Sequence, residues 1–257
     1  MIKLATWNVN SVKARLGHLT QFLEAAKPDI VCLQELKCQE ADFPALELQA
    51  LGYHAEVSGQ KSYNGVAILS REKAADVLRA LPGDKNDEQA RYIEATISGL
   101  RVASIYLPNG NPVPGEKFDY KLAWMKRLQT HAANLLDSER AFALAGDFNV
   151  CPTDADVFDP EGMAGDALCR PESRARFHSM LNLGLTDALR ALHPHERLYT
   201  YWDYQQRRWQ SGEGLRIDHV LLSPQAADRL ESCDVDKTPR GQDKASDHTP
   251  VVCALTS

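Results

Sequence analysis

The stretch that most constrains this 257-residue chain is Phe142-Ala143-Leu144-Ala145-Gly146-Asp147-Phe148-Asn149. A continuous apolar run that stops at a glycine reads as a strand buried on both faces, although periodicity alone does not separate it from a short buried helix. Gly146 is expected to let the backbone turn sharply where the run ends. If the chain then stays extended, Asp147 and Asn149 point to the same side, because side chains of an extended segment alternate with a period of two. Gly-Asp-x-Asn taken alone is also what a tight turn prefers. Its meaning depends on whether the rest of the chain repeats the arrangement, and it does.

Residues 2–8 form a strand candidate ending in Trp7-Asn8-Val9-Asn10. Leu16, Leu19, Leu23 and Ala26 then recur at helical spacing, and the helix must stop near Pro28. Ile30-Val31-Cys32-Leu33 is a second apolar run and finishes in Gln34-Glu35. A short helix over 43–51, closed by Gly52, precedes the buried-strand candidate Val66-Ala67-Ile68-Leu69, and 74–88 reads as helix fragment and loop. Residues 92–97 and 100–107 flank Ser98-Gly99 as a β-hairpin whose second arm carries Tyr106 near its end. Phe118, Leu122, Met125, Leu128, Ala132 and Leu135 predict a long amphipathic helix over 116–137.

After the opening stretch, residues 151–171 are rich in Asp, Pro and Gly and read as a long irregular loop, a length that in a compact protein is usually functional or mobile. A helix over 177–183 capped by Gly184, a strand over 199–202 and a strand over 215–222 with Asp218 inside it follow. The chain closes with Ala245-Ser246-Asp247-His248-Thr249-Pro250 and an apolar strand over 251–255. The two halves look alike in outline, and the pattern fits two sheets packed face to face with helices outside, in one domain spanning 1–257.

Composition narrows the class. With 44% hydrophobic and 25% charged residues the chain is an ordinary soluble globular protein. The N-terminus reaches polar residues too soon for a signal peptide and no run is long enough to span a membrane, so a cytoplasmic protein is expected. Six cysteines lack any Cys-x-x-Cys pair, which argues against a zinc knuckle or redox motif and for reduced thiols. A net charge of −6 argues against a uniformly basic nucleic-acid coat but not against a local patch, and a carboxylate-built metal site would itself add negative charge.

Apolar strands thus adjoin Asn8, Glu35, Tyr106, Asp147 with Asn149, and Asp247 with His248, and Asp218 is embedded in a sixth. Each has an ordinary reading: a turn cap for Asn8, a solvated end for Glu35, a core position for Tyr106, a partner of Arg216 for Asp218. Gathered at one rim of a sandwich, they would make a polar pocket of carboxylates, amides, a phenol and an imidazole. The motifs Trp7-Asn8-Val9-Asn10, Leu33-Gln34-Glu35-Leu36-Lys37, Tyr106-Leu107-Pro108-Asn109-Gly110, Gly146-Asp147-Phe148-Asn149, Gly214-Leu215-Arg216-Ile217-Asp218 and Ser246-Asp247-His248-Thr249-Pro250 closely resemble those of the exonuclease III family of apurinic/apyrimidinic (AP) endonucleases. That family lies within the endonuclease/exonuclease/phosphatase superfamily, and the resemblance runs through the whole chain in the family's order.

The resemblance implies a four-layer α/β sandwich of the DNase I-like type, with two packed mixed β-sheets flanked by helices. It implies a monomeric DNA repair hydrolase using Mg²⁺ or Mn²⁺ that cuts 5′ to abasic sites in double-stranded DNA. A 3′→5′ exonuclease and an activity on blocked 3′ ends would accompany this, and any nucleoid association would come through the DNA. Such chemistry needs a cation on a phosphate oxygen, an activated water and stabilisation of the leaving oxygen, because hydroxide and phosphodiester are both anionic. By resemblance Glu35 is the main metal ligand, with Asn8 beside it and Asp247 contributing directly or through water.

His248 would lie against the phosphate, its other N–H accepted by Asp218. Asp147 would deprotonate the attacking water or protonate the leaving oxygen, Asn149 would hold water or phosphate, and Tyr106 would donate to the phosphate. Asn10, Tyr201, Trp202 and Leu215 are the implied substrate contacts, the last three forming an apolar pocket for a flipped sugar. Arg207, Arg208, Arg240 and Lys244 would track phosphates. Two departures stand out: His219 where an aliphatic or aromatic residue is expected, and no long cationic side chain in the loop over 109–115. The alternatives are a superfamily phosphoesterase on inositol phosphates or phospholipids, a secreted DNase I-like nuclease, and a catalytically silent scaffold.

Overall fold

Strands that are apolar at successive rather than alternate positions must be covered on both faces, and this rule builds the molecule. The computed structural model describes residues 1–256. Its strands are β1 (Ile2–Asn8), β2 (Ile30–Gln34), β3 (His54–Ser58), β4 (Val66–Ser70), β5 (Ala75–Leu78), β6 (Tyr92–Ile97), β7 (Leu100–Tyr106), β8 (Phe142–Asp147), β9 (Thr186–Asp187), β10 (Asp218–Leu222), β11 (Leu230–Val235) and β12 (Val251–Leu255). They form two six-stranded sheets, ordered β11-β12-β1-β2-β4-β3 and β5-β6-β7-β8-β10-β9. Each is mixed: β1–β2 and β7–β8 are parallel, and the neighbouring pairs are antiparallel.

Side-chain alternation sorts the apolar residues into three layers of core. Leu4, Ile30, Cys32 and Ile68 of the first sheet meet Ile93, Val102, Ala143, Ala145 and Val220 of the second. The outward set of the first sheet, including Ala5, Trp7, Val31 and Leu33, packs beneath α1 (Leu16–Ala26) and α2 (Ala45–Ala50). Ala103, Ile105, Leu144 and Leu221 pack beneath α3 (Glu116–Leu136) and α4 (Pro171–Leu181). The result is helices, sheet, sheet, helices, the expected four-layer sandwich. All six cysteines are free and buried.

Several local expectations are corrected. Residues 75–78 form an edge strand rather than helix or loop; its partly exposed residues and irregular register with β6 leave no apolar alternation to read. Residues 199–202 are not a strand, Tyr201 making only isolated bridges to Leu215 and His248. β10 begins at Asp218, so the aspartate opens the strand instead of interrupting it. Helix α4 starts at Pro171, where the missing N–H costs nothing. Gly146 does not turn the chain: it lies inside β8, where a Cβ would come within 2.0 Å of the Ile105 carbonyl oxygen on β7.

Candidate active site

Three strand registers assemble the site. Parallel pairing of β7 with β8 sets Tyr106 beside Asp147, and antiparallel pairing of β8 with β10 sets Asp218 on the other side. In the facing sheet, β1–β2 pairing sets Asn8 beside Gln34, one residue before Glu35. The sheets are joined at this rim by the Asn8 side-chain amide, which donates to Glu35 Oε1 and Asp147 Oδ2, each at 2.9 Å. Asn8 Oδ1 accepts the Asn10 N–H, so this asparagine orients two carboxylates.

Asn149 converges with Asp147 by a different route from the one its spacing suggests. The chain leaves the extended conformation, with Asn149 in the left-handed region at φ 48°, and its N–H donates to Asp147 Oδ1 at 2.9 Å. Glu35, Asn10 and Lys37 also have positive φ. Sparsely populated backbone conformations of this kind collect where tertiary contacts over-determine the chain, functional rims included.

The last component arrives just before β12. Ser246 Oγ donates to the Asn8 carbonyl at 2.7 Å and Trp7 Nε1 to the His248 carbonyl at 3.2 Å, seating this segment on the end of β1. His248 Nδ1 lies 2.8 Å from Asp218 Oδ2, which also accepts the Thr200 hydroxyl at 2.6 Å. Its Nε2 lies 3.7 Å from Asp147 Oδ2. Arg216 leaves Asp218 free for this role, because its guanidinium pairs instead with Asp156 and Asp187.

Burial alone would make His248 a weaker base, but the Asp218 and Asp147 carboxylates outweigh it and hold the imidazole protonated. Burial pushes Asp147 up, opposed by His248 and reinforced by Asp218, so it is a far better proton acceptor than an exposed aspartate. Burial, then the Glu35 and Asp147 charges, drive the Tyr106 phenol well above its ordinary value, and it stays a donor. Glu35 feels the same burial but is held low by Lys37, whose Nζ is 2.8 Å away, and by Asn8.

Glu35, Asp147 and His248 place one ligand atom each within 4.8 Å of one another. A protonated His248 offers no lone pair and burial pushes Asp147 up, which leaves the low-lying Glu35 carboxylate as the ionised hard-oxygen donor of the three. This fits a divalent cation that takes oxygen ligands and keeps several waters. Asp247 faces them across the rim, its Oδ1 accepting from Asn10 Nδ2 at 3.0 Å.

These groups form one wall of a cavity of about 500 Å³. The rest of the lining mixes apolar side chains, Phe158, Met163, Leu168, Leu215, Ile217 and Tyr201, with the charged Asp159, Asp166, Asp203, Arg208 and Glu213. Tyr201 stands edge-on to the His248 ring at 4.9 Å between centroids. Arg208 stacks over Phe158 at 4.3 Å and pairs with Glu213. Trp202 is not part of the lining: it is 2% exposed and packs against Trp209 and Tyr199. Asn10 lies beside the rim, joined to Asp247, Tyr204 and Lys37. Arg240 is buried and donates to the Trp202 carbonyl, whereas Arg207 and Lys244 are exposed.

Thr200, Ser246 and Lys121 are further residues at the site that the sequence does not single out. The hydroxyls carry no spacing signal, but Lys121 does, lying three residues after Phe118 and four before Met125 on the buried side of α3. His219 is buried between the Val150 carbonyl, 2.9 Å from Nε2, and Arg216, 3.1 Å from Nδ1. Burial and Arg216 lower its pKa to about 4.

Comparison with known proteins bears on this geometry. Residues 5–248 match the endonuclease/exonuclease/phosphatase family. Exodeoxyribonuclease III of Haemophilus influenzae is 31% identical over 97% of this chain and 98% of its own. An AP endonuclease from Archaeoglobus fulgidus superposes with a TM-score of 0.96 at 38% identity, covering both chains in full. The 3′-5′ exonuclease NExo of Neisseria meningitidis superposes at 0.97 with 42% identity, again in full, and a Neisseria NExo structure with a product DNA hairpin describes a 3′ phosphatase.

Proposed function

This chain belongs to the endonuclease/exonuclease/phosphatase family and sides with exodeoxyribonuclease III within it, and from that premise we propose a Mg²⁺-dependent DNA repair nuclease. It hydrolyses the phosphodiester 5′ to abasic sites in duplex DNA and trims 3′ ends, acting as a monomer. The observation that carries this reading is the pairing of two proton-handling groups across one rim: His248 backed by Asp218, and Asp147 tied through Asn8 to Glu35. Relatives described as an AP endonuclease and as a 3′ phosphatase and exonuclease support both activities.

Glu35 would hold the metal, with Asn8 fixing its carboxylate and Asp247 reached directly or through water. What Mg²⁺ supplies when bound is positive charge on a phosphate oxygen, which lowers the repulsion between phosphodiester and nucleophile. His248 Nε2–H and the Tyr106 hydroxyl donate to the phosphate and stabilise charge as it develops. Asp147 takes the proton of the attacking water, a role its raised pKa suits near neutral pH. Asn149 orients that water. Tyr201 and Leu215, in the cavity lining, exclude solvent from the reacting phosphate and receive a sugar without its base.

The test is cleavage of labelled duplexes carrying an abasic site, a 3′-phosphate or no damage, with Mg²⁺ and with excess chelator. Magnesium-dependent cleavage of damaged DNA that disappears in Asp147→Asn and His248→Ala is expected, and the three substrates rank the activities. A folded protein that cuts none of them would end the nuclease reading and turn attention to inositol phosphates and phospholipids.

A further inference from the structure

Helix α3 lays Phe118, Trp124, Met125, Leu128 and Ala132 into the core, and Lys121 lies on the same stripe with 0% of its surface exposed. An aliphatic residue would fill that position without taking an ammonium out of water, which is costly. Its Nζ donates to two backbone carbonyls, Asn109 O at 2.9 Å and Asn149 O at 2.5 Å, and neither partner is a carboxylate. Burial lowers its pKa to about 7, against the more distant attraction of Asp147 and Asp166.

The neighbouring chain is shaped around this side chain. Gly110 has φ +93°, and a Cβ on it would approach Lys121 Cδ to 2.6 Å, so the loop rests directly on the lysine stem. The two carbonyls belong to separate loops on the cavity wall. Asn109 Nδ2 donates to Asn149 Oδ1 at 3.1 Å, and Asn149 Nδ2 donates to the Leu107 carbonyl at 2.9 Å. Asn111, bound to Asn109 Oδ1, extends the chain of contacts to Asp166 and to the N–H of Ala167.

We propose that Lys121 is a positioning residue for the nuclease reaction: its ε-amino group clamps the Asn109 and Asn149 carbonyls together from beneath the cavity and so fixes Asn149 against Asp147. The proposal rests on the nuclease reading above. The clamp acts on reacting-group geometry, where a displacement of about 1 Å is enough to cost ~10²-fold in rate. It therefore governs kcat more than substrate affinity.

The experiment measures kcat, KM and thermal midpoint for wild type, Lys121→Met, Leu128→Ala and Gly110→Ala, and for the Gly110→Ala/Lys121→Met double variant, on whichever damaged duplex the wild type cuts. Lys121→Met keeps the stem and removes the donors. We expect it to lose roughly 30- to 100-fold in kcat with KM changed less than about threefold. Leu128→Ala, on the same stripe, lowers the midpoint and leaves kcat within about twofold. Gly110→Ala, whose Cβ would press on the lysine stem and, less closely, on Ala167 and Phe118 from a left-handed backbone, also loses kcat, and the double variant loses less than the product of the two single losses because they share the stem contact.

A folded Lys121→Met with kcat near wild type, a kcat loss in Leu128→Ala matching its midpoint loss, or multiplying losses in the double variant would each overturn the proposal. If Lys121→Met does not fold, Gly110→Ala decides: an unchanged kcat, or a loss that only accompanies a fallen midpoint from the strained left-handed backbone, overturns the clamp, and a kcat loss at an unchanged midpoint supports it. A wild type inactive on every duplex removes the nuclease reading and the clamp together, whereas an active wild type with an equally active Lys121→Met removes the clamp alone.

Discussion

Glu94 and Asp147 are both buried carboxylates of the second sheet, and they have opposite fates. Glu94, in the middle of β6, accepts from the Tyr92 hydroxyl and Arg101 at 2.5 Å each and meets His131 Nε2 at 2.9 Å. Burial would raise its pKa, but His131, Tyr92 and Arg101 together lower it to about 2. Asp147, at the end of β8, has amide donors from Asn8 and Asn149, and its nearest cationic group is 3.7 Å away. It is raised. Burial is common to both; a cation in direct contact is what separates a locked carboxylate from one able to exchange a proton.

The comparison breaks most visibly at Asp147. Asp147→Asn should lose at least about 10³-fold in kcat, the range of a general acid or base. Its thermal midpoint in chelator at pH 8 should equal or exceed that of wild type, since an amide escapes the cost of burying charge. A variant keeping a tenth of the activity would make Asp147 as structural as Glu94.

Glu94→Gln should show the reverse, with kcat within about twofold and about 4 kcal/mol lost in urea unfolding, because Arg101 and His131 lose their anion. A carboxyl with a depressed native pKa contributes stability above its unfolded value near 4.5 and loses it as the pH falls toward about 2. The gap between wild type and variant should therefore narrow below about pH 4.5.

His219 supplies the smallest effect and the opposite charge type. Its native pKa of about 4 lies below the ordinary 6.5. The unfolded chain thus binds a proton that the native one refuses between those values, and stability is lost as the pH falls from 6.5 to 4. The difference amounts to about 3 kcal/mol at most. His219→Gln should flatten that portion of the stability profile, and an unchanged slope would show that other groups carry it.

What the sequence made legible follows the same physics. β2, β4, β8 and β12 are covered on both faces, so their apolar runs are continuous; edge strands β3, β5 and β11 each carry exposed or half-exposed residues and left no comparable pattern. Apolar runs that end in Asn8, Glu35, Tyr106 and Asp147 announced the rim, because strand ends are where a buried run meets polar space. The spacing predicts Asp147 and Asn149 as a converging pair, but through an extended chain rather than the bend that joins them. Thr200 and Ser246 are hidden because their partners lie 18 and 238 positions away; Lys121 is visible as a cation on an apolar stripe, but its partners are backbone carbonyls that no residue type advertises.

The parallel pairs β1–β2 and β7–β8 govern when the site can exist at all. Parallel neighbours need a crossover, made here by α1 and α3, so the rim draws on residues 8, 35, 106, 147, 218 and 248, brought together by long-range closures. Asp247 and His248 take their places only when β12 docks beside β1 and the segment ahead of it is caught by Trp7 and Asn8. A chain synthesised as far as β10 already has both sheets begun and carries no histidine at the rim. The rim is therefore complete only when the segment carrying Asp247 and His248 is seated on the end of β1.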